Sequence, residues 1–214
     1  MNSNFDFSPT TLDDFVFHST STRDDIYDLA SNNLPLPSDR SFGLLLYGDF
    51  GTGKSQLAKI LPQLIENSLT NNKDAVLFTK YDCEYGDMGQ QMIRKIRSEM
   101  ELVSLNYSGK HYFFLDEVDQ LTAATQREMK TIMNMRDGVF IFCTNRLAEI
   151  DDGLRDRCLQ LSMNAVSDEA MFNHAMRLAK KHNVVIVDEK RLRVEVSRMR
   201  GSFRHLAHAI KRCS

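Results

Sequence analysis

Gly48-Asp49-Phe50-Gly51-Thr52-Gly53-Lys54-Ser55, GDFGTGKS in one-letter code, follows directly on the apolar run GLLLY and leads into a helix-like segment. That order of strand, glycine-rich loop and helix marks a phosphate-binding loop. Glycines at 48, 51 and 53 allow a tight turn whose N–H groups point inward at a polyphosphate, and the helix starting near Lys54 adds its positive N-terminal end. Lys54 is then placed to reach the outer phosphates and the Ser55 hydroxyl to complete a Mg²⁺ shell. The eight residues together predict nucleotide binding; a glycine-rich turn with a solvated lysine is the bland alternative.

Outward from this loop, short apolar segments rich in β-branched or aromatic residues stand out: Phe42 to Tyr47, Ala75 to Thr79, His111 to Leu115 and Val139 to Thr144, with Leu159 to Met163 a weaker addition. Such runs, separated by helix-like stretches, predict an α/β fold. Its parallel five-stranded sheet is covered on both faces, with the loops after the strands sharing one ligand-binding edge. The helix after the phosphate loop is expected over Lys54 to Asn67, with Pro62 kinking or ending it early. Met88 to Met100 and Thr122 to Met135 follow, the second capped by Thr122 and carrying Met129, Ile132 and Met133 on one face. Near Ala165 the strand patterns stop and helical ones take over. Ser167 reads as an N-cap, with Asp168 and Glu169 in the first turn and Lys180 and Lys181 in the last, as the helix dipole favours. Further helices are expected after Asp188 and from Ser202 to Arg212. The expected organisation is a nucleotide-binding α/β domain over 1–164 and a small all-helical satellite domain over 165–214.

Hydrolysis of a γ-phosphate needs a metal-positioning carboxylate, a group that orients the attacking water and positive charge on the transition state. HYFFLDEVD ends a strand in Asp116, suited to the Mg²⁺ shell, and Glu117, suited to polarising water. The next strand ends in FIFCTN, where the Asn145 amide could hydrogen-bond the γ-phosphate or the water. GLRDRC and RGSFRHL then supply Arg155, Arg157 and Arg204, planar and permanently charged donors of the kind phosphoryl transfer rewards. Each residue type is common at strand ends and on surfaces. Their order after the phosphate loop makes them candidates.

Composition narrows the alternatives. The 214 residues are 42% hydrophobic, enough for a sizeable core. The longest apolar runs are strand-sized, and MNSNFDFSPT lacks the basic and apolar blocks of a signal peptide, so a cytoplasmic protein without a membrane span is expected. Cys83, Cys143, Cys158 and Cys213 form no Cys-x-x-Cys pair, which suits reduced thiols better than a zinc ribbon. His205 and His208 share a helical face but lack acidic or thiol companions, so no metal is expected there. The net charge of −2 hides an asymmetry, with seven Asp against one Arg in residues 1–39 and seven Arg or Lys against one Glu in 191–214. A basic tail suits nucleic acid or an acidic neighbouring subunit, and equally a solvated helix face.

TLDDFVF, GDFGTGKS, FFLDEVDQLT, TQREMKTIM, FCTN, LRDRC and GSFR occur in this order, and with them the chain resembles the AAA+ ATPases, among them the small subunits of sliding-clamp loaders of the replication factor C type. The resemblance implies ATP and Mg²⁺ as cofactors, hydrolysis coupled to DNA replication, and membership of a ring or open spiral. It implies Asn145 as sensor one and Arg204 as sensor two on the lid. Asp156-Arg157-Cys158 looks like the family's Ser-Arg-Cys motif with serine replaced, which implies that Arg157 enters the ATP site of a neighbouring copy or homologous subunit and that hydrolysis needs assembly. Clamp loaders follow primer–template DNA with the helices after the second strand and after the acidic pair, which implies Arg94, Gln126 and Arg127 as phosphate contacts. The family continues into a helical collar with no obvious counterpart here. Assembly would then rest on ATP and DNA, on a partner supplying the collar, or the architecture would serve another task.

A sliding clamp is the client on this reading. A helicase-loading or transposition-targeting AAA+ ATPase would share the site and bind a helicase or recombinase instead, with the acidic N-terminal segment as its hook. A P-loop kinase would need neither Arg157 nor Arg204, and a structural subunit that never hydrolyses would have no use for Glu117 and Asn145.

Overall fold

The computed structural model describes residues 8–36, 43–83, 89–135 and 137–214. Strands β1 (Gly43–Tyr47), β2 (Phe78–Asp82), β3 (His111–Asp116), β4 (Gly138–Thr144) and β5 (Cys158–Ser162) form one sheet of order β2-β3-β4-β1-β5 with every neighbouring pair parallel. Around it lie α1 (Thr20–Ala30), α2 (Lys54–Thr70), α3 (Gly89–Met100), α4 (Ala123–Met133) and the single turn α5 (Asp152–Arg155), followed by α6 (Asp168–Lys181), α7 (Glu189–Arg198) and α8 (Leu206–Cys213).

Alternating side chains of a strand enter opposite faces, so a sheet apolar at every position needs two cores. Leu45, Phe113, Leu115, Phe140 and Phe142 pack on one face with Ile93 and Ile96 of α3 and Met129 and Ile132 of α4. Leu44, Leu46, Tyr112, Phe114 and Ile141 pack on the other with Ile26 and Leu29 of α1 and Leu57, Leu61 and Ile65 of α2. Each such side chain contributes about 1.5–3 kcal/mol on burial. The three central strands are thereby fixed, and the loops after β1, β3 and β4 open on the same edge.

Three expectations need correction. α2 does not end at Pro62 but continues to Thr70. The missing N–H and the ring cost about 3 kcal/mol, yet Pro62 is itself buried on the face shared by Leu57, Leu61 and Ile65, whose packing on the sheet outweighs that cost. β2 starts at Phe78, not Ala75, because its register aligns Phe78 with Tyr112 of β3. Before that point the Asn106 side chain takes the place of a strand partner, accepting from the Leu77 N–H and donating to the Leu77 carbonyl, each at 2.9 Å. The last lid helix begins late, as a 3-10 turn over Phe203–His205 and then α8, because the Phe203 N–H is drawn to the Gly51 carbonyl at 2.8 Å.

The lid has its own core, in which Met171, Phe172, Ala175 and Leu178 of α6 meet Leu192, Val196, Leu206 and Ile210. Ser167 caps α6 as expected, its Oγ accepting from the Ala170 N–H at 3.2 Å. Nothing in the sequence patterns foretold the 3-10 turn over Leu12–Asp14 or α1, whose Leu12, Ile26 and Leu29 join the core on the α2 face of the sheet.

Candidate functional site

The phosphate loop holds its own lysine. Thr52 Oγ1 donates to the Asp49 carbonyl at 2.9 Å, and Lys54 Nζ donates to the carbonyls of Gly48 at 2.9 Å and Asp49 at 2.6 Å. Gly51 and Gly53 have φ of 76° and 96°, which residues with a Cβ rarely adopt. At Gly51 a Cβ would also meet the Ser202 Oγ of the lid at 2.1 Å. The Asp49 carboxylate accepts from the Ala165 N–H at 3.1 Å, a second tie between loop and lid. Burial pulls the pKa of Lys54 below the ordinary lysine value, against the opposing pull of Asp116, Asp49 and Asp119. A buried ammonium resting on two carbonyls is a strong site for an anion.

Ser55 Oγ donates to Asp116 Oδ1 at 3.2 Å, joining the start of α2 to the end of β3. Glu117 follows in the left-handed region, φ 56°, and so leaves the line of the strand. Thr144 Oγ1 donates to Asp119 Oδ1 at 2.6 Å and accepts from the Arg146 N–H at 2.9 Å. The end of β4, with Asn145, is thus fastened to the turn after the acidic pair.

A cavity of about 530 Å³ brings most of the candidates together: Phe50, Gly51, Thr52, Gly53, Lys54, Ser55, Asp116, Glu117, Asn145 and Arg204 all line it. Gly48 and Asp49 act one step back, through Lys54. Arg157 stands outside. It is half-buried on the outer surface, where one guanidinium nitrogen donates to the Gly153 carbonyl at 2.8 Å and Nε approaches Asn134 Oδ1 at 3.4 Å. Arg155 is paired with Asp152.

Other cavity residues escaped sequence reading: Pro9, Asp14, Phe15 and Val16 from the N-terminal segment and His174, Leu178, Phe203 and Leu206 from the lid. Asp14 belongs to the acidic stretch considered as a partner hook, but it is buried, accepts from the N–H groups of Thr10 and Thr11 at 3.0 and 3.1 Å, and pairs with Lys181 of α6. Burial alone would raise its pKa; Lys181 and those N–H groups outweigh it and hold the carboxyl well below the usual range. A signal for His174 did exist, since it sits on the apolar face of α6 between Met171 and Leu178.

His174 also sets an acid limit on the lid. Burial, with the nearby Arg177 guanidinium, lowers its pKa to about 4, and Asp14 opposes this only in part. The unfolded chain therefore binds more protons between an ordinary histidine pKa and that value, so stability falls as pH drops through this window. The loss at pH 4 relative to neutrality is about 2–3 kcal/mol from this residue. Thermal melts should show the slope, and His174→Phe should flatten it. An equally steep slope in the variant would refute the assignment.

Gln126 does not face DNA. It is only 3% exposed, its Nε2 donates to the carbonyls of Leu121 and Glu149 at 3.2 Å, and its Oε1 accepts from the Asp151 N–H at 2.7 Å. The amide is spent inside the fold, binding α4 to the segment before α5. Arg94 and Arg127 are exposed. His205 and His208 are exposed too, and among the described residues no group of three or more His, Cys, Asp or Glu could hold a metal ion. No helix among the described residues is long and apolar enough to cross a membrane.

The family described as "ATPase family associated with various cellular activities (AAA)" matches residues 44–165, from β1 through β5. The chain belongs to the AAA ATPase family. Membership implies nucleotide binding. Among curated relatives, a replication factor C small subunit of Thermoplasma volcanium is 31% identical over 159 residues, covering 72% of this chain and 48% of that protein. Replication factor C subunit 3 of Arabidopsis thaliana is 22% identical, covering 83% and 57%. The chain spans about half the length of the curated relatives it matches. Solved structures share the fold: Thermotoga maritima RuvB, with a TM-score of 0.69 at 17% identity, covers 96% of this chain and 64% of that one. Domain III of the replication initiation protein DnaA, also from Thermotoga maritima, has a TM-score of 0.65 at 17% identity, covering 94% and 86%.

Proposed function

We propose that this AAA ATPase binds and hydrolyses ATP with Mg²⁺ as one subunit of a clamp-loader-like assembly acting on primer–template DNA. The observation that carries the reading is a cavity that gathers the phosphate-loop lysine, the acidic pair, Asn145 and Arg204 while leaving Arg157 on the outer surface. Lys54 exchanges its two carbonyl partners for phosphate oxygens. Ser55 and Asp116 offer two adjacent oxygen donors, which fits a hard cation that keeps several waters. Mg²⁺ there would neutralise charge developing on the phosphates. Glu117 takes the proton of the attacking water, Asn145 orients that water, and Arg204 bears on the phosphates from the lid. Arg157 completes the site of a neighbouring subunit, so each nucleotide lies at a seam.

The named relatives support the replication role. An apolar surface supports a protein client, the sliding clamp on this reading: Leu77, Leu102, Val103, Leu105 and Tyr107 are all more than half exposed, and the Asn106–Leu77 bonds hold the two stretches together. Large exposed apolar groups so clustered mark interaction sites. Arg94 and Arg127 are the remaining candidates for DNA phosphates.

The test is mass in solution. With a non-hydrolysable ATP analogue the chain should assemble, and primed DNA should raise the assembled fraction. A monomer with nucleotide, with DNA and with both would overturn the seam.

A further inference from the structure

Leu178, Phe203 and Leu206 of the lid, with Phe15 of the N-terminal segment, give the cavity wall an apolar stretch, with His174 of α6 beside them. His174 is only 4% exposed, and its ring meets that of Phe203 edge-on, with centroids 5.6 Å apart and planes at 83°. The Arg177 guanidinium lies 2.9 Å from His174 Nδ1. A guanidinium has donors and no acceptor, so Nδ1 must accept, and the proton of the neutral ring sits on Nε2.

We propose that His174 reads the nucleobase, its Nε2–H donating to a ring nitrogen of a purine seated between the N-terminal segment and the lid. This rests on the nucleotide reading of the cavity and goes beyond it by assigning base recognition to one side chain. Lys54 and the glycine loop claim the phosphates, so the base falls to the remaining wall, where aromatic and aliphatic side chains would stack any base. A single donor fixed in such a wall confers selectivity, because a base lacking the matching acceptor leaves it unpaired. With its pKa near 4, the ring keeps one tautomer throughout the neutral range.

The experiment compares binding of ATP with its three mono-deaza analogues, in which ring nitrogen 1, 3 or 7 is replaced by C–H. On the unaltered protein, one analogue should bind about 3- to 10-fold more weakly than ATP, the scale of one neutral hydrogen bond. In His174→Phe the loss should disappear, with ATP itself weakened by the same factor. His174→Gln, which keeps an N–H donor, should restore part of the preference. Equal binding of all four ligands by the unaltered protein overturns the inference without relying on any variant, as does an analogue penalty that persists in His174→Phe. Failure of the unaltered protein to bind any of them overturns the nucleotide reading as well. Lys54→Ala keeps the two levels apart, since it should weaken all four ligands alike.

Discussion

Arg157→Ala and Lys54→Ala proteins, each inactive alone, should regain ATP hydrolysis when mixed. The first keeps an intact pocket and lacks the trigger arginine; the second keeps the arginine and lacks the lysine that draws in the phosphates. Arg157 cannot serve its own cavity from where it stands, since its guanidinium is engaged with Gly153 and Asn134 and is no part of the cavity wall. It is nonetheless accessible to a neighbour. An arginine supplied in trans is worth about 10³–10⁵ in rate, so Arg157→Ala alone should fall at least to the foot of that range. In a random equal mixture of one kind of subunit joined head to tail, about one seam in four pairs a sound pocket with a sound arginine. The rate should recover to that order and vary with mixing ratio. No recovery at any ratio, with both variants folded and binding-competent by independent measurement, would mean that the enzyme is self-contained and that Arg157 is a structural tether for α5.

What could be read from the sequence was local. The phosphate loop, Asp116 and Glu117 each follow a short, continuous apolar strand, and a buried parallel sheet leaves few other ways to write those strands. What could not be read depends on contacts across long stretches of chain. Asp14 looks like one surface acid among several until Lys181, far along the chain, is seen to pair with it. Leu77 looks like the middle of a strand until Asn106 takes over its backbone groups. Gln126 is different, because its signal was present: it lies three and seven residues before Met129 and Met133, on the face that periodicity assigns to the core. There the implied DNA contact displaced a better argument from spacing. Arg204 lines the cavity, but the helix expected from Ser202 becomes α8 only at Leu206, since the Phe203–Gly51 bond that delays it is tertiary.

Glu117→Gln should separate nucleotide binding from hydrolysis more sharply than any other single change. The side chain keeps its shape and loses only its capacity to take a proton, so the left-handed backbone at this position is undisturbed. Loss of a positioned general base costs about 10²–10⁴-fold in kcat. Lys54, Ser55 and Asp116 are untouched, so affinity for ATP should remain. If ATP holds the subunits together and hydrolysis releases them, the variant should accumulate as an assembly with ATP itself, where the unaltered protein needs a non-hydrolysable analogue. Single-turnover hydrolysis and mass in solution, measured on the same sample, decide the matter. Retained hydrolysis would remove Glu117 from the chemistry and move attention to another group on the cavity wall. Lost hydrolysis without a persistent assembly would leave the chemistry in place and break its link to the seam, because the energy of binding would then be holding something other than a neighbouring subunit.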